Sequence, residues 1–288
     1  MKIKSKVYDK FGGLHFTGED VDPKLFTERH LQRLLNNGGV VIDDRVIPLI
    51  PFDGRIKLGI ITGVWKRPEV FEMFANGVKE LQSINGVDIV CIVSGSEGKR
   101  SKAMVEKHGF TYIEVPNEPL SHKMNVTALE AKEQGCTHVL CVGSDDIITK
   151  PLLKEYIKHI RTGYDFVGVL DFYFYDLVSK KSMYWGGYRD KRRGHTCGAG
   201  RLISARLMDD WDWLPWVSKD SKYLDNTMQN RLMHTPFHVK TFSLKDKGLF
   251  GLDIKSSTNM TPFERWDNAK FIDSAIIEKQ FAYLLHDT

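Results

Sequence analysis

The chain has 288 residues, of which 42% are hydrophobic and 27% are charged, and its formal net charge is +4. This length fits one large α/β domain with an appendage, or two modest domains, and the composition is ordinary for a soluble protein with a packed core. The sequence contains no apolar stretch as long as a membrane span, and its basic N-terminus lacks the apolar segment of a signal peptide. We therefore expect a cytoplasmic protein. The mild positive charge permits an anionic partner without requiring one.

The cysteines give no sign of a zinc or redox motif. None of the four belongs to a C-x-x-C pair. Cys91 and Cys141 lie in apolar segments, so we expect them to be small core residues. Free thiols agree with a reducing compartment.

Residues 1–56 differ from the rest of the chain and are predicted to form a small N-terminal appendage. One short helix is expected over Phe26–Leu35, where it ends at an Asn-Gly-Gly triplet, and a short β segment is expected around Val40–Ile42. A segment of this size cannot bury a core of its own. We therefore expect it to pack against the main domain or a partner.

From residue 57 the sequence alternates between apolar strands and amphipathic helices. The predicted strands are 57–65, 87–95, 110–117 and 137–146, and the predicted helices are 67–83, 98–109 and 120–135. Strands that are apolar along their length and alternate with helices are typical of a parallel sheet covered on both faces. The sequence therefore predicts an α/β domain over residues 57–288, with a mixed, mostly parallel sheet flanked by helices.

The second half of the chain breaks this alternation. Aromatic segments at 164–176 and 181–188 predict antiparallel or mixed strands. The remaining expectations are a helix at 221–235, a strand at 237–244, a loop at 245–266 and a helix near 268–285. At this length the loop is either a lid that orders over a ligand or a mobile surface loop.

Two neighbouring carboxylates, Asp145 and Asp146, end the fourth predicted strand. Open parallel sheets bind ligands at the carboxyl ends of their strands. Because two close carboxylates repel each other, a cation is expected to offset them, and Mg²⁺ and Mn²⁺ are commonly held by one or two carboxylates together with phosphate oxygens. The alternative is that Ser144 or Asp145 only caps the helix that follows.

The stretches around this doublet resemble GT-A nucleotide-sugar glycosyltransferases, especially family-2-like members, over about residues 57–261. IITGVWKRPE resembles the family's first strand and loop, and PLSHKMNVTALEAKEQGCTHVLCVGSDD resembles the segment that leads to its D-x-D metal motif. GHTCGAGRLISARLM resembles its Gly-rich acceptor-side loop, and KYLDNTMQNRL matches the position of its x-E-D motif. The metal motif departs from the usual form, because Gly143 stands where the first acid is often found.

The resemblance implies a GT-A (Rossmann-like) fold, a nucleotide-sugar donor, with a UDP-sugar as the first expectation, and Mn²⁺ or Mg²⁺. Asp145 and Asp146 would be the metal ligands, and Asp225 would take the proton of the acceptor hydroxyl. The expected donor contacts are Thr62, Val64, Arg67, Ser94, Lys123, Asn125, Ser144, Gly198, Gly200 and Lys255.

Several of these features also have structural explanations. Asp225 is equally a carboxylate in the first turn of a helix, where the macrodipole favours it. His238 lies in a predicted strand and is no clear metal ligand, whereas Asp253, Lys255 or Asn259 could face the diphosphate. The tryptophans are either core residues or a stacking surface for a sugar or base; they are Trp185, Trp211, Trp213 and Trp216.

The expected function is therefore a metal-dependent, inverting transfer of a sugar from a nucleotide-diphosphate sugar to an acceptor hydroxyl. The acceptor is a saccharide or a modified base in DNA, as in phage DNA glycosyltransferases, because a basic loop, Arg189–His195, adjoins aromatic residues and the Gly-rich turn. The alternative for this loop is a solvated surface. The alternative functions are a nucleotidyltransferase, whose Gly-rich basic first loop is missing, and a non-catalytic module of the same fold.

Overall fold

The computed structural model describes residues 48–216, 224–233, 235–257, 259, 263, 266 and 268–285, with the backbone of four short strands nearer the start. These strands are β1 (Lys2–Ile3), β2 (Val7–Tyr8), β3 (Leu14–His15) and β4 (Val40–Val41). β1 pairs with β4, and β2 pairs with β3, both antiparallel. The β segment expected near residue 40 is present, while the helix expected over Phe26–Leu35 lies outside the described residues.

The elements of the main domain follow in chain order. They begin with β5 (Ile56–Gly63), α1 (Pro68–Gln82), β6 (Val87–Gly95), α2 (Lys99–Glu106), β7 (Thr111–Glu114), α3 (Leu120–Glu133), β8 (His138–Cys141), β9 (Asp146–Ile148) and α4 (Lys150–Thr162). They continue with β10 (Phe166–Val169), β11 (Phe172–Asp176), β12 (Ser182–Trp185), β13 (Arg201–Ser204), α5 (Ala205–Asp210), α6 (Leu224–Leu232), β14 (Val239–Phe242), α7 (Leu244–Lys247), β15 (Gly251–Lys255), β16 (Ala269–Ile272), α8 (Ser274–Gln280) and α9 (Ala282–Leu285).

A seven-stranded sheet forms the scaffold, in the order β14-β10-β13-β8-β5-β6-β7. Its strands pair in parallel except at β13, which is antiparallel to both β8 and β10. Leu58 of β5 and Leu140 of β8 are completely buried, as are most of their neighbours. Burial on both faces explains why these strands are apolar along their length. The predicted mixed, mostly parallel α/β sheet is confirmed.

The helices that cover this sheet follow simple sequence rules. α1 begins at Pro68, whose fixed φ suits a first helical turn, and buries Val70, Phe71 and Phe74 on one face. α4 begins after Thr149, whose side chain accepts a hydrogen bond from Leu152 N at 3.4 Å. Thr149 is therefore the helix cap, and the suggestion that Ser144 or Asp145 serves that purpose is wrong. Within the described part of the chain, no helix combines the length and apolar content needed to cross a membrane.

A smaller sheet, in the order β16-β12-β11-β15-β9, corrects several expectations from the sequence. The aromatic segment 164–176 divides into β10 and β11, which lie in different sheets. The loop expected at 245–266 contains α7 and β15, and the region expected as one helix near 268–285 begins with the strand β16. β15 lies between β11 and β9, so its backbone hydrogen bonds come from both sides. These pairings are non-local, which is why sequence periodicity did not indicate them. His238 precedes β14 and does not lie in it.

Candidate active site

A cleft of about 350 Å³ opens where β5 and β8 end. Arg67 after β5 and Gly143 after β8 line it from the large sheet, and Phe174 of β11 lines it from the small sheet. This is the edge of an open α/β sheet at which ligands bind. Among the described residues, the charged side chains that line the cleft are Arg67, Asp145, Asp146, Asp225, Asp253 and Lys255.

The acidic doublet lies on a turn that joins β8 to β9. Gly143 N donates to Asp146 Oδ2 at 2.8 Å, and Asp146 N donates to Gly143 O at 3.0 Å. Ile254 N of β15 donates to the carbonyl oxygen of Asp145 at 2.7 Å. The turn is therefore fixed by hydrogen bonds within itself and by the neighbouring strand.

Gly143 has a steric reason to replace the first acid of the metal motif. A Cβ atom at position 143 would lie 2.5 Å from Asp146 Oδ2 and 2.7 Å from Asp145 Oδ1. Both separations are far below normal van der Waals contact, so a side chain here would displace the carboxylates. In this backbone, glycine allows the two acids to approach each other.

Asp253 brings a third carboxylate to the doublet. The register of β15 with β9 places Asp253 opposite Asp146. Lys255 Nζ lies 2.6 Å from Asp253 Oδ2, while Asp253 Oδ1 is buried and has no hydrogen-bond partner among the described residues. The sequence offered Asp253 and Lys255 as residues that could face a diphosphate, but their pairing with each other and the position of Asp253 opposite Asp146 depend on the unexpected strand β15.

Burial and neighbouring carboxylates raise the pKa values of these acids. Burial raises the pKa of Asp253 to about 6, and the charge of Asp145 adds to this while Lys255 opposes it. Burial, followed by the charges of Asp253 and Asp145, raises the pKa of Asp146 well above its usual value. Carboxylates that are difficult to ionise together are stabilised by an added cation.

Asp145 has a protein cation as its partner. Arg67 Nη1 lies 2.6 Å from Asp145 Oδ2, and Asn259 Nδ2 donates to the same oxygen at 2.7 Å. The sequence predicts donor contact for Arg67 and leaves the neutralising charge to a metal ion. In the structure Arg67 lines the cleft as expected, but its guanidinium neutralises the acid that was expected to bind the metal.

The residues present fit a divalent cation that is bound together with phosphate. Among the described residues, no group of three or more His, Cys, Asp or Glu side chains converges as in a complete protein metal site. However, Asp145 Oδ1 and Asp146 Oδ2 both lie within 2.7 Å of the same point above Gly143, so at most about 5 Å separates them. Two carboxylates completed by diphosphate oxygens are a common arrangement for Mg²⁺.

Asp225 lies in the first turn of α6 and lines the same cleft. Its side chain is 41% exposed, so the carboxylate can reach a bound substrate. Gly198 packs directly against it, because a Cβ atom at position 198 would lie 2.6 Å from Asp225 Oδ1. The missing side chain of Gly198 therefore makes room for this carboxylate, while its expected contact with the donor stays a prediction.

Arg201 supports Asp225 and was missed by sequence reasoning. Its guanidinium Nη1 lies 3.3 Å from Asp225 Oδ1, although its own side chain is only 1% exposed. Arg201 Nε also donates to Cys197 O at 2.9 Å, and Nη2 donates to Thr196 O at 3.0 Å. The one available signal was a basic residue at the start of an otherwise apolar strand, RLIS.

Lys123 and Asn125 hold the loops around the cleft together. Lys123 is 1% exposed, and its Nζ donates to Val64 O at 2.8 Å; burial lowers its pKa to about 8. Asn125 makes two hydrogen bonds to the backbone of Trp216, at 2.7 and 3.1 Å. Neither side chain is among the described residues that line the cleft, so their contact with a donor stays a prediction.

The other predicted donor contacts lie at the buried ends of strands. Thr62, Val64, Ser94 and Ser144 are each at most 3% exposed, and Val64 N donates to Ser94 O at 2.8 Å. Gly200 has a φ of +73° and leads the chain into β13, where its N–H donates to Cys141 O at 2.8 Å. None of these five is among the described residues that line the cleft, and their contact with a donor stays a prediction.

Two of the four predicted tryptophans line the cleft. All four predicted residues are buried; Trp211 and Trp213 pack in the core, whereas Trp185 and Trp216 also line the cleft together with Trp266. All four residues therefore pack in the core, and stacking of Trp185 or Trp216 on a sugar or base stays a prediction.

The basic loop, Arg189–His195, lies beside the cleft. It includes a single 3-10 turn, Asp190–Arg192, and the guanidinium of Arg192 lies 3.6 Å from the ring centre of Tyr188, which lines the cleft. Burial and the charge of Asp225 raise the pKa of Tyr188 to about 12. Arg189, Lys191 and Arg193 are exposed. The loop thus places exposed positive charge near the Asp225 end of the cleft.

Comparison with known proteins was informative only at the level of structure, because no family model and no curated protein matches the chain. Residues 1–349 of S. aureus TarS have a TM-score of 0.52 and 15% identity, covering 69% of this chain and 60% of that one. The same TarS fragment in complex with UDP has a TM-score of 0.50 and 15% identity, covering 80% and 71%. The chain thus spans less than two thirds of the first of these structures.

A second protein gives the same result. Mannosyltransferase PcManGT from Pyrobaculum calidifontis, in complex with GDP-Man and Mn²⁺, has a TM-score of 0.52 and 9% identity, covering 76% of this chain and 61% of that chain. Together with the sheet order and the position of the cleft, these likenesses define the fold. It is the GT-A fold.

Proposed function

We propose that the protein is a glycosyltransferase that moves a sugar from a nucleoside diphosphate sugar to an acceptor hydroxyl. One observation supports this most. A single cleft contains a cluster of three acids with two cations, Arg67 and Lys255, and also a separate carboxylate, Asp225, whose ion-pair partner is the buried Arg201. Diphosphate recognition needs the first group, and removal of a proton from the acceptor needs the second. Structures similar to this chain contain UDP, or GDP-Man with Mn²⁺.

The chemistry assigned to the chain's own residues is an inverting transfer. Asp225 accepts the proton of the acceptor hydroxyl while that oxygen forms a bond to the anomeric carbon. The bond between this carbon and the diphosphate oxygen breaks, and the nucleoside diphosphate leaves with the bonding electrons. Lys255 and Arg67 bind the diphosphate oxygens, because guanidinium and ammonium groups make strong charge-assisted hydrogen bonds to phosphate.

A divalent cation held by Asp145 and Asp146 would supply Lewis-acid stabilisation of the charge on the departing diphosphate. The unpaired Asp253 Oδ1 and the raised pKa values of Asp253 and Asp146 support such a cation. Buried aromatic residues on the cleft wall, including Phe174 and Trp185, would exclude water from the reacting centre.

The basic loop supports an acceptor that carries phosphate groups, and DNA with a hydroxylated base is the first acceptor to test. The exposed Arg189, Lys191 and Arg193 would bind the backbone without reading its sequence. Binding of a DNA duplex should then weaken steeply with salt, and replacing Lys191 and Arg193 by glutamine should flatten that dependence. A neutral oligosaccharide acceptor would instead be bound equally at low and high salt.

The proposed function is tested by incubating the protein with UDP- and GDP-sugars and Mn²⁺, and measuring release of the nucleoside diphosphate. We expect release for at least one donor, with loss of release in Asp145→Asn. NMR of a transferred sugar would then report whether its anomeric configuration is inverted. If no donor is bound or hydrolysed by the folded protein, the proposal is wrong and a non-catalytic module of this fold replaces it.

A further inference from the structure

The position of Arg67 leads to an inference about how the donor site is loaded, and it rests on the proposed function. Arg67 precedes α1 at the end of β5, and Asp145 lies on the turn after β8, so the contact between them joins two adjacent loops of the scaffold. The side chains are 14% and 19% exposed. Both are thus partly buried, where an ion pair is screened much less than at the surface.

The contact occupies one oxygen atom of Asp145 and leaves the other to a cation, so the competition between Arg67 and a cation comes from the repulsion of their charges. Arg67 Nη1 and Asn259 Nδ2 both contact Asp145 Oδ2, while Asp145 Oδ1 faces Asp146 Oδ2 across Gly143. A divalent cation between the two carboxylates would lie within a few ångströms of the guanidinium. At that distance two cations repel each other strongly at the effective dielectric of a protein. Arg67 and a divalent cation therefore compete for Asp145.

The guanidinium is also poorly satisfied where it lies. A guanidinium has five N–H donors in a planar fork. Among the described residues, Asp145 is the one side-chain partner that the structure gives Arg67, and Arg67 Nε is buried without a hydrogen-bond partner. Lys255, by contrast, contacts the Asp253 carboxylate and lies over the rings of Phe174 and Trp266. Of the two cations in the cleft, Arg67 has more unused donors and fewer contacts to lose.

The balance of charge gives the direction of the exchange. Among the described residues at the donor end of the cleft, three carboxylates, Asp145, Asp146 and Asp253, face two side-chain cations, so this end has one negative charge in excess when all are ionised. Adding a divalent cation reverses that sign, and a diphosphate group then restores it. The diphosphate offers several oxygens to a planar fork of donors, which a single carboxylate does not. The donor is thus the natural new partner for Arg67.

We propose that Arg67 is an exchangeable counter-cation: it neutralises Asp145 in the protein alone and passes to the donor diphosphate when a divalent cation binds Asp145. The exchange makes each ligand help the other, because metal binding releases the guanidinium that the diphosphate needs, and the diphosphate stabilises the guanidinium away from the metal. Coupling of this kind is reciprocal.

The test compares Mn²⁺ binding with nucleotide binding in Arg67→Gln. Mn²⁺ binding without nucleotide is measured from the EPR signal of the free ion, and UDP or GDP binding at saturating Mn²⁺ is measured by calorimetry. Removing the competing charge should strengthen Mn²⁺ binding about tenfold. Removing the diphosphate partner should weaken nucleotide binding about tenfold. The two affinities are therefore expected to change in opposite directions.

Arg55→Gln is the matched control. Arg55 is 83% exposed, lies next to the opposite end of β5 and pairs with Asp88, so the same substitution should change neither affinity. Thermal melting checks that both variants fold. If Arg67→Gln leaves Mn²⁺ binding unchanged or weakens it, or leaves nucleotide binding unchanged, the proposal is overturned.

A measurement on the unaltered protein covers the case in which Arg67→Gln does not fold. A crystal structure with Mn²⁺ and UDP should show the guanidinium on phosphate oxygens and separated from Asp145; a guanidinium that still contacts Asp145 there overturns the exchange. Failure of the exchange in a protein that hydrolyses a nucleotide sugar leaves the proposed function intact. A protein that binds neither Mn²⁺ nor any nucleotide contradicts both.

Discussion

The two ends of the cleft hold their carboxylates in different ways. At the donor end Asp145, Asp146 and Asp253 crowd together, with Arg67 and Lys255 as partners, and buried carboxylate oxygen remains unpaired. At the acceptor end a single carboxylate, Asp225, contacts a fully buried arginine that has several further hydrogen bonds. The donor end can bind a cation and exchange the partners of its carboxylates, whereas the acceptor end holds the Asp225 carboxylate in one position. The difference matches ligand binding at one end and proton transfer at the other.

The largest effect should come from Asp225→Asn, which keeps the shape of the side chain and removes its capacity as a base. Transfer should fall by about 10²- to 10⁴-fold, the usual contribution of a general base. Affinity for UDP with Mn²⁺ should not change, because the substitution lies at the acceptor end. Steady-state kinetics measures the rate of transfer, and calorimetry measures the affinity for UDP. Asp210→Asn, at an exposed site on α5, is the control, and normal transfer by Asp225→Asn would remove the proton-transfer role.

Arg201→Met should destabilise the fold. It leaves the carbonyl oxygens of Cys197 and Thr196 without their charged donor, and each hydrogen bond from a charged group contributes about 1.5–3 kcal/mol. The free energy of urea unfolding measures the loss, and Arg193→Met, at an exposed site, is the comparison. Equal stability of the two variants would show that the acceptor end is not held by Arg201.

The donor end should respond to pH in the metal-free protein. Because folding raises the pKa of Asp253 to about 6, the folded state binds that proton more tightly than the unfolded state does. The contribution of Asp253 to stability is therefore present at low pH and is lost as pH rises from about 4 to about 6, by at most about 3 kcal/mol. Urea unfolding of the parent and of Asp253→Asn isolates this effect, and identical pH profiles would contradict the raised pKa of Asp253.

Gly143→Ala should give the smallest effect and act only at the donor end. Its Cβ atom would press on both acids of the doublet, so Mn²⁺ affinity should fall by about tenfold. Gly186→Ala is a matched control, because a Cβ atom there has its nearest neighbour at an ordinary 3.6 Å. EPR titration with Mn²⁺ compares them. If the two variants bind Mn²⁺ with similar affinity, the close approach of Asp145 and Asp146 at Gly143 does not contribute to cation binding.

The first half of the fold was predictable because its physics is local. Burial can be predicted from the sequence pattern of single elements. Examples are the apolar strand that contains Leu140 and the helical stripe of Val70, Phe71 and Phe74. The same regularity placed Asp145 and Asp146 at the edge of the sheet. Asp225 could be located from its resemblance to a known motif, although its role stays a prediction.

The remaining features depend on contacts between distant parts of the chain. Asp253 and Lys255 reach the doublet only because β15 pairs with β9, and nothing in GLDIK states its partner. The sequence could not predict the contact between Arg201 and Asp225, because the two residues are distant in the chain and meet only in the folded structure. Lys123 illustrates the reverse case, since a lysine in a promising motif is buried and donates to Val64 O.

The pairing of β15 with β9 makes the donor end sensitive to chain length as well as to residue type. Successive side chains of a strand point to opposite faces, so Leu252 and Ile254, which are buried in the core, alternate with Asp253 and Lys255. One inserted residue in the short connection before Gly251 would slip this alternation by a single position. Charged groups would then enter the apolar interior while leucine and isoleucine faced the phosphates. Natural variation in the length of that connection should therefore be rare.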